Sequence, residues 1–160
     1  MWCYRLVAPF TFQRVEVPEP DPTRLADRQV LLRFLAAGIC GSDLPGFRGT
    51  QGRLPADTGR CAAELDGFPI HEIAGEVLAS THPAHAVGDR VVGWASGFDG
   101  LQAHVVADGD GLSGYAADLT PAQAIGLQPL ACVLYAVEQL GDLTGKRVAV
   151  IGQGSIGLLF

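Results

Sequence analysis

Lysine is nearly missing from this chain: Lys146 is the one lysine among 160 residues, and the remaining basic side chains are arginines scattered singly. With a net charge of −6 and no basic run, the sequence lacks the electrostatic footprint that nucleic acid or an anionic membrane surface needs, and neither is expected as a partner. No apolar run approaches the roughly 20 residues of a membrane span. Met1-Trp2-Cys3-Tyr4-Arg5 has neither the basic start nor the continuous apolar core of a secretion signal. A soluble, cytoplasmic protein is the expectation. Cysteine is sparse as well: Cys3, Cys40, Cys61 and Cys132 stand far apart, so a disulfide framework is at most a minor reading. What is plentiful is apolar and small. Hydrophobic residues make up 48% of the chain and glycine contributes 21 positions, enough to bury a core in one domain, or in one domain and a piece of another.

As far as about residue 118, short apolar runs alternate with Pro, Gly and Asp, the texture of a β-rich domain. The spacing predicts strands at 29–37, closing at Gly38, and at 73–79, 89–94 and 101–107, the last alternating with period two. Pro18-Glu19-Pro20-Asp21-Pro22 predicts a stiff extended loop, since its prolines remove ladder donors. Residues 45–69, crowded with glycine and proline, predict a long loop. The texture changes at Leu119. Thr120-Pro121-Ala122-Gln123 reads as an N-cap followed by a proline at the first helical position. Helices are predicted at about 121–126 and, after Pro129, at 129–140, ending at Gly141. The second carries the apolar stripe Leu130, Val133, Leu134 and Val137.

The last residues carry a recognisable pattern. Val148-Ala149-Val150-Ile151 predicts a short buried parallel strand, and Gly152, Gly154 and Gly157 follow at G-x-G-x-x-G spacing. In a strand–turn–helix unit the first glycine makes the turn, the second admits a pyrophosphate to the backbone, and the third lets the helix pack on its strand. The acidic residue that would grip a ribose is expected about 20 residues later, beyond Phe160, so the chain reads as the front half of something longer.

The second chemical cluster lies earlier. Gly38-Ile39-Cys40-Gly41-Ser42-Asp43 is followed, 31 residues after Cys40, by His71-Glu72. A thiol, an imidazole and a carboxylate at strand ends of one β domain are the ligand types of a mononuclear zinc site with an open position. Each alone has a plainer reading, Cys40 as a small buried hydrophobe and His71-Glu72 as a surface or core pair. His82 and His85 bracket Pro83 in a turn and His104 sits on an alternating strand, so all three read as solvent-facing or structural.

Five words in order carry a resemblance: Gly38 to Leu44, His71 to Val77, Val87-Gly88-Asp89-Arg90-Val91, Gln128-Pro129-Leu130-Ala131, and Val148 to Gly157. On these the chain resembles the medium-chain dehydrogenase/reductase family, in its zinc-containing alcohol, sorbitol and threonine dehydrogenase branch. The resemblance implies a mainly β fold with some α. A GroES-like β-barrel domain at 1–119 would carry the catalytic zinc, and 120–160 would supply connecting helices and the first helix-strand-turn of a Rossmann NAD(P)-binding domain. It also implies hydride transfer between NAD or NADP and a small-molecule alcohol or carbonyl, and a homo-oligomer at full length. By position, Cys40, His71 and Glu72 would meet the metal, Ser42 would relay the substrate proton, Asp43 would orient a ligand, and Gly152, Gly154 and Gly157 would approach the cofactor. The chain by itself is expected to be inactive.

The sequence departs from that branch in three ways, one being that Ile70 precedes His71 where many relatives have Gly and the 45–69 segment is longer than usual. Gln128 stands where relatives commonly place Glu or Cys, with Cys132 one helical turn on, and the four closely spaced cysteines of the branch's structural zinc are missing. Two other readings therefore stand beside the first: a zinc-free quinone or enoyl reductase type with the same fold, and a non-enzymatic GroES-like module.

Overall fold

The computed structural model describes residues 1–50 and 66–160. Among these, β1 (Trp2–Ala8) and β2 (Thr11–Glu16) form an antiparallel hairpin. β3 (Gln29–Gly38), β4 (Glu72–Ser80), β5 (Arg90–Trp94), β6 (His104–Asp108) and β7 (Leu112–Gly114) form an antiparallel sheet ordered β6-β3-β4-β5-β7. The four strands expected before residue 118 are present, with ends that differ by three residues or fewer. The hairpin was not legible, and its turn explains why. Pro9-Phe10 connects the strands with Phe10 at φ +63, where a hairpin ordinarily places Gly or Asn.

The mainly β reading with some α holds, but among the described residues the two sheets are not closed into a barrel. The isolated bridges Cys3 with Gln102 and Arg5 with Asp66 tie the hairpin to the rest. Closure needs an unbroken ladder around the circumference, and single bridges beside a three-residue β7 do not supply one.

Alternation along the strands sends one side chain in two into a common core. Val30 and Leu32 of β3, Ile73 and Val77 of β4, Val91 of β5, Val105 and Ala107 of β6 and Leu112 of β7 meet there. At its start β4 is buried on both faces, from Glu72 to Gly75, because helix α2 (Pro121–Ala124) packs across this end of β3 and β4. Thr120 caps α2 with a full capping box to Gln123. The following helix, α3 (Leu127–Gln139), begins two residues earlier than expected. Pro129 is its third residue, where the missing N–H would have had no intrahelical partner. Of its stripe, Val133 is buried while Leu134 is exposed.

Two further corrections concern loops and the end of the chain. A single turn of helix, α1 (Asp43–Phe47), opens the stretch predicted as a loop from residue 45; residues 51–65, with Cys61, lie outside the described residues. Val148–Ile151 is not a buried strand. Ile151 is 98% and Val148 60% exposed, and neither pairs with any strand among the described residues. An apolar run becomes a strand only where another strand accepts its hydrogen bonds. The chain then turns into a short helix, α4 (Ser155–Leu159), which packs against α3.

Candidate metal centre

The register of the sheet brings the sequence-predicted ligands together. Gly38 at the end of β3 pairs with Glu72 at the start of β4. Cys40, two residues past one strand, and His71, one residue before the other, therefore share one end of the sheet. One ligand atom from each of Cys40, His71 and Glu72 lies within 4.8 Å of the others. Tetrahedral zinc with bonds of 2.0–2.3 Å spaces its ligand atoms roughly 3.5 Å apart, so a small contraction closes this set on an ion.

Gly38 is part of the cradle. A Cβ there would overlap Glu72 Oε2 and stand 2.7 Å from Ile125 Cγ2, just past α2, so only glycine leaves the carboxylate room. The sequence showed Gly38 as the end of a strand, and nothing in its local pattern showed this approach.

Asp43 organises the other side. Its Oδ2 accepts from the backbone N–H of Cys40 at 2.7 Å, fixing the turn that presents the thiol. Its Oδ1 lies 2.7 Å from His71 Nδ1, in contact but off the line of an ordinary hydrogen bond. The carboxylate contact holds the imidazole above its ordinary pKa range, against the opposing pull of burial. With Nδ1 on Asp43, His71 has Nε2 left for a metal, the arrangement by which a carboxylate orients a ligand imidazole.

Burial supplies the strongest test of fit. Asp43, His71 and Glu72 are 3%, 2% and 6% exposed, and no lysine or arginine among the described residues pairs with either carboxylate. Asp43 has only the His71 imidazole beside it and Glu72 no basic side chain, and buried carboxylates so placed are costly to desolvate. A divalent cation held by sulfur, nitrogen and oxygen offsets that cost, and the donor set suits zinc. Ser42 is exposed at the N-cap of α1, and its hydroxyl makes no hydrogen bond among the described residues.

Residues 26–130, well over half of the chain, match the family described as the alcohol dehydrogenase GroES-like domain. The chain belongs to that family. It is 29% identical to (R,R)-butanediol dehydrogenase of Bacillus subtilis, over 92% of this chain and 49% of the relative. The crystal structure of 2R,3R-butanediol dehydrogenase from the same organism superposes with a TM-score of 0.73 at 26% identity, covering 99% of this chain and 52% of that one. A stretch covering 68% of the chain is 38% identical to the bifunctional protein FolD of Phenylobacterium zucineum, but takes in only 36% of that protein. The chain thus spans about half the length of the butanediol dehydrogenase it matches.

The remaining candidates of this family member fall elsewhere. Gln128 Nε2 lies 3.7 Å from Cys132 Sγ on the same face of α3. Both line a separate cavity of about 450 Å³ with Trp94, Ser113 and Tyr135, and Cys132 is not part of the three-ligand cluster. His82 is structural, with Nε2 between Arg28 Nη2 at 2.8 Å and Asp110 Oδ1 at 3.2 Å. His85 contacts Gly109 O at 2.8 Å. Cys3 is buried and its thiol is pushed up to about 11 by that burial, which leaves it inert. At the end of the chain Gly152 has φ +100, and a Cβ on Gly157 would overlap Gly152 O, so the first and third glycines allow the tight turn and the close helix. No helix among the described residues is long and apolar enough to cross a membrane.

Proposed function

We propose that the chain is the N-terminal part of a zinc-dependent alcohol or polyol dehydrogenase that moves a hydride between NAD or NADP and a small-molecule alcohol or carbonyl. Residues 1–119 form the zinc-holding domain, and 120–160 open the Rossmann domain. The observation that carries this reading is the meeting of half-buried Cys40 with buried His71 and Glu72, with no lysine or arginine paired to Glu72 among the described residues. Cytoplasmic residence and a homo-oligomeric full-length protein belong to the same reading.

When bound, zinc supplies a Lewis acid for the substrate oxygen. The side chains divide the rest of the work. The Cys40 thiolate and the Glu72 carboxylate carry the charge that holds a divalent ion, and His71 offers Nε2. Asp43 fixes both the imidazole, through Nδ1, and the Cys40 turn, through the backbone N–H. Ser42 takes the proton of the substrate hydroxyl onto Oγ and passes it outward, a route open because the residue faces solvent. Gly152, Gly154 and Gly157 admit the cofactor pyrophosphate to the backbone.

Elemental analysis after purification without chelator tests this reading, with about one zinc per chain expected and none retained by Cys40→Ala. Near-zero zinc in the parent chain, persisting after reloading at neutral pH, would replace this reading with the zinc-free reductase type. That second reading is favoured by Gln128, which offers a neutral amide and lies beside Cys132 Sγ at 3.7 Å.

A further inference from the structure

The loop between β5 and β6 contributes no ligand, yet it is laced to the backbone that carries His71. Ala95 N–H donates to His71 O at 2.7 Å, Gly100 N–H to Ile70 O at 2.8 Å, and Leu101 N–H to Gly67 O at 3.0 Å. Within this loop Phe98 adopts φ +53, a left-handed conformation that a bulky residue rarely takes, closed by a bond from Phe98 N–H to Ala95 O at 2.9 Å. Strain of this kind persists only where the surroundings over-determine it. Here it delivers the ring to within 5.2 Å of the His71 imidazole. Trp94 lies 4.8 Å from the same imidazole and meets Phe98 edge to face at 5.7 Å.

Phe98 reaches further. It packs on the Leu6 and Phe68 cluster together with Phe12 and Phe47, and Phe47 is the last residue of α1, the helix that begins at Asp43. One apolar cluster thus joins the ring beside the imidazole to the helix that carries Asp43.

We infer that Phe98 is a positioning residue for His71: its ring, set by the left-handed backbone and braced by Trp94, fixes the imidazole plane so that Nδ1 stays on Asp43 and Nε2 is turned to Cys40 and Glu72. The inference rests on the metal-site reading for its purpose, although the ring geometry stands without it.

The test compares Phe98→Gly, Phe98→Leu and Phe98→Tyr with the parent chain. Glycine suits the positive φ and relaxes the backbone while removing the ring, so loss of positioning separates from loss of fold. Three quantities are read: the thermal midpoint, the exchange-protected Nδ1–H signal of His71 in metal-free ¹⁵N-histidine-labelled protein, and the dissociation constant for Co²⁺ by absorption titration. The expected result for Phe98→Gly is a lowered midpoint with a cooperative transition retained, loss of the protected Nδ1–H signal, and Co²⁺ affinity weakened at least tenfold. Phe98→Tyr is expected to restore both, and Phe98→Leu, which keeps apolar volume, is expected to behave like glycine in the signal and the affinity. A glycine or leucine variant that keeps the Nδ1–H signal and binds Co²⁺ within twofold of the parent would overturn the inference. A parent chain that binds no Co²⁺ would overturn the metal reading, and the Nδ1–H comparison would still decide the role of Phe98.

Discussion

Glu72 is a carboxylate the fold would be more stable without. It is buried at 6% exposure with no basic partner among the described residues, and on the proposed zinc reading the ion is what offsets that cost. Glu72→Gln removes the charge at nearly constant volume. The metal-free protein should gain roughly 1–2 kcal/mol, a few degrees in thermal midpoint, while zinc affinity falls by more than tenfold; calorimetry and chelator competition on the same samples check both signs together. A variant that loses stability as well as affinity would mean that Glu72 makes a structural contact. Gln128→Glu should leave zinc affinity within about twofold, because Glu72 already supplies a carboxylate to the cluster and the Gln128 amide lies beside Cys132 Sγ. That expectation reverses the one the sequence suggests, where an added carboxylate at a family ligand position ought to tighten binding.

Asp99 offers a test at the same scale that does not involve the metal. Its Oδ1 is buried without a partner among the described residues, its Oδ2 accepts from Gln102 at 3.3 Å, and burial raises its pKa from 3.8 to about 6. The folded state therefore holds this proton more tightly than the unfolded state. Its contribution is most favourable below about pH 4, declines as pH rises through 6, and stays low above that. Asp99→Asn removes the dependence. The variant should match the parent at pH 4 and exceed it by roughly 2 kcal/mol at pH 7.5, as read from denaturant midpoints at the two pH values. Equal stability at both would mean the carboxylate is better solvated than its surroundings suggest.

At the scale of elements, the junction of β3, β4 and α2 sets the site. Gly38→Ala must displace the Glu72 carboxylate or lift Ile125 and α2 with it, so both zinc affinity and thermal midpoint should fall, by about 1–3 kcal/mol in stability; an unchanged midpoint with full metal retention would show that α2 gives way freely. This junction also divides what the sequence tells from what it conceals. Cys40, His71 and Glu72 were legible as a candidate set because ligand chemistry belongs to residue types, and the strands near 29–38 and 72–80 were legible because short apolar runs punctuated by Pro, Gly and Asp are a local signal. The pairing of Gly38 with Glu72 was not legible, since register is fixed by long-range contacts. For the same reason the hairpin behind Pro9-Phe10 and the failure of the sheets to close escaped a reading by pattern. Val148–Ile151 is the sharpest instance: its composition describes a strand, yet no strand among the described residues lies beside it.

For the whole molecule that unpaired run has a consequence. Val148, Ile151, Leu158 and Phe160 are exposed together, and Val137, Leu140, Leu143, Val150 and Ile156 line an apolar hollow of about 770 Å³ next to them. A contiguous apolar surface of this kind drives self-association, so the 160-residue chain should sediment as dimers or larger species, and deletion of residues 143–160 should return a monomer. Cofactor binding is expected to be feeble. The pyrophosphate needs the glycine turn held at the end of a strand inside a parallel sheet, whereas here Gly152 follows an open segment. Titration calorimetry with NAD and with NADP should give dissociation constants above roughly 100 μM, worth no more than about 5 to 6 kcal/mol of binding. A low-micromolar constant for either would show that Gly152, Gly154 and Gly157 hold the anion without a supporting sheet. A chain that sediments as a monomer would show that the hollow is covered by its own tail.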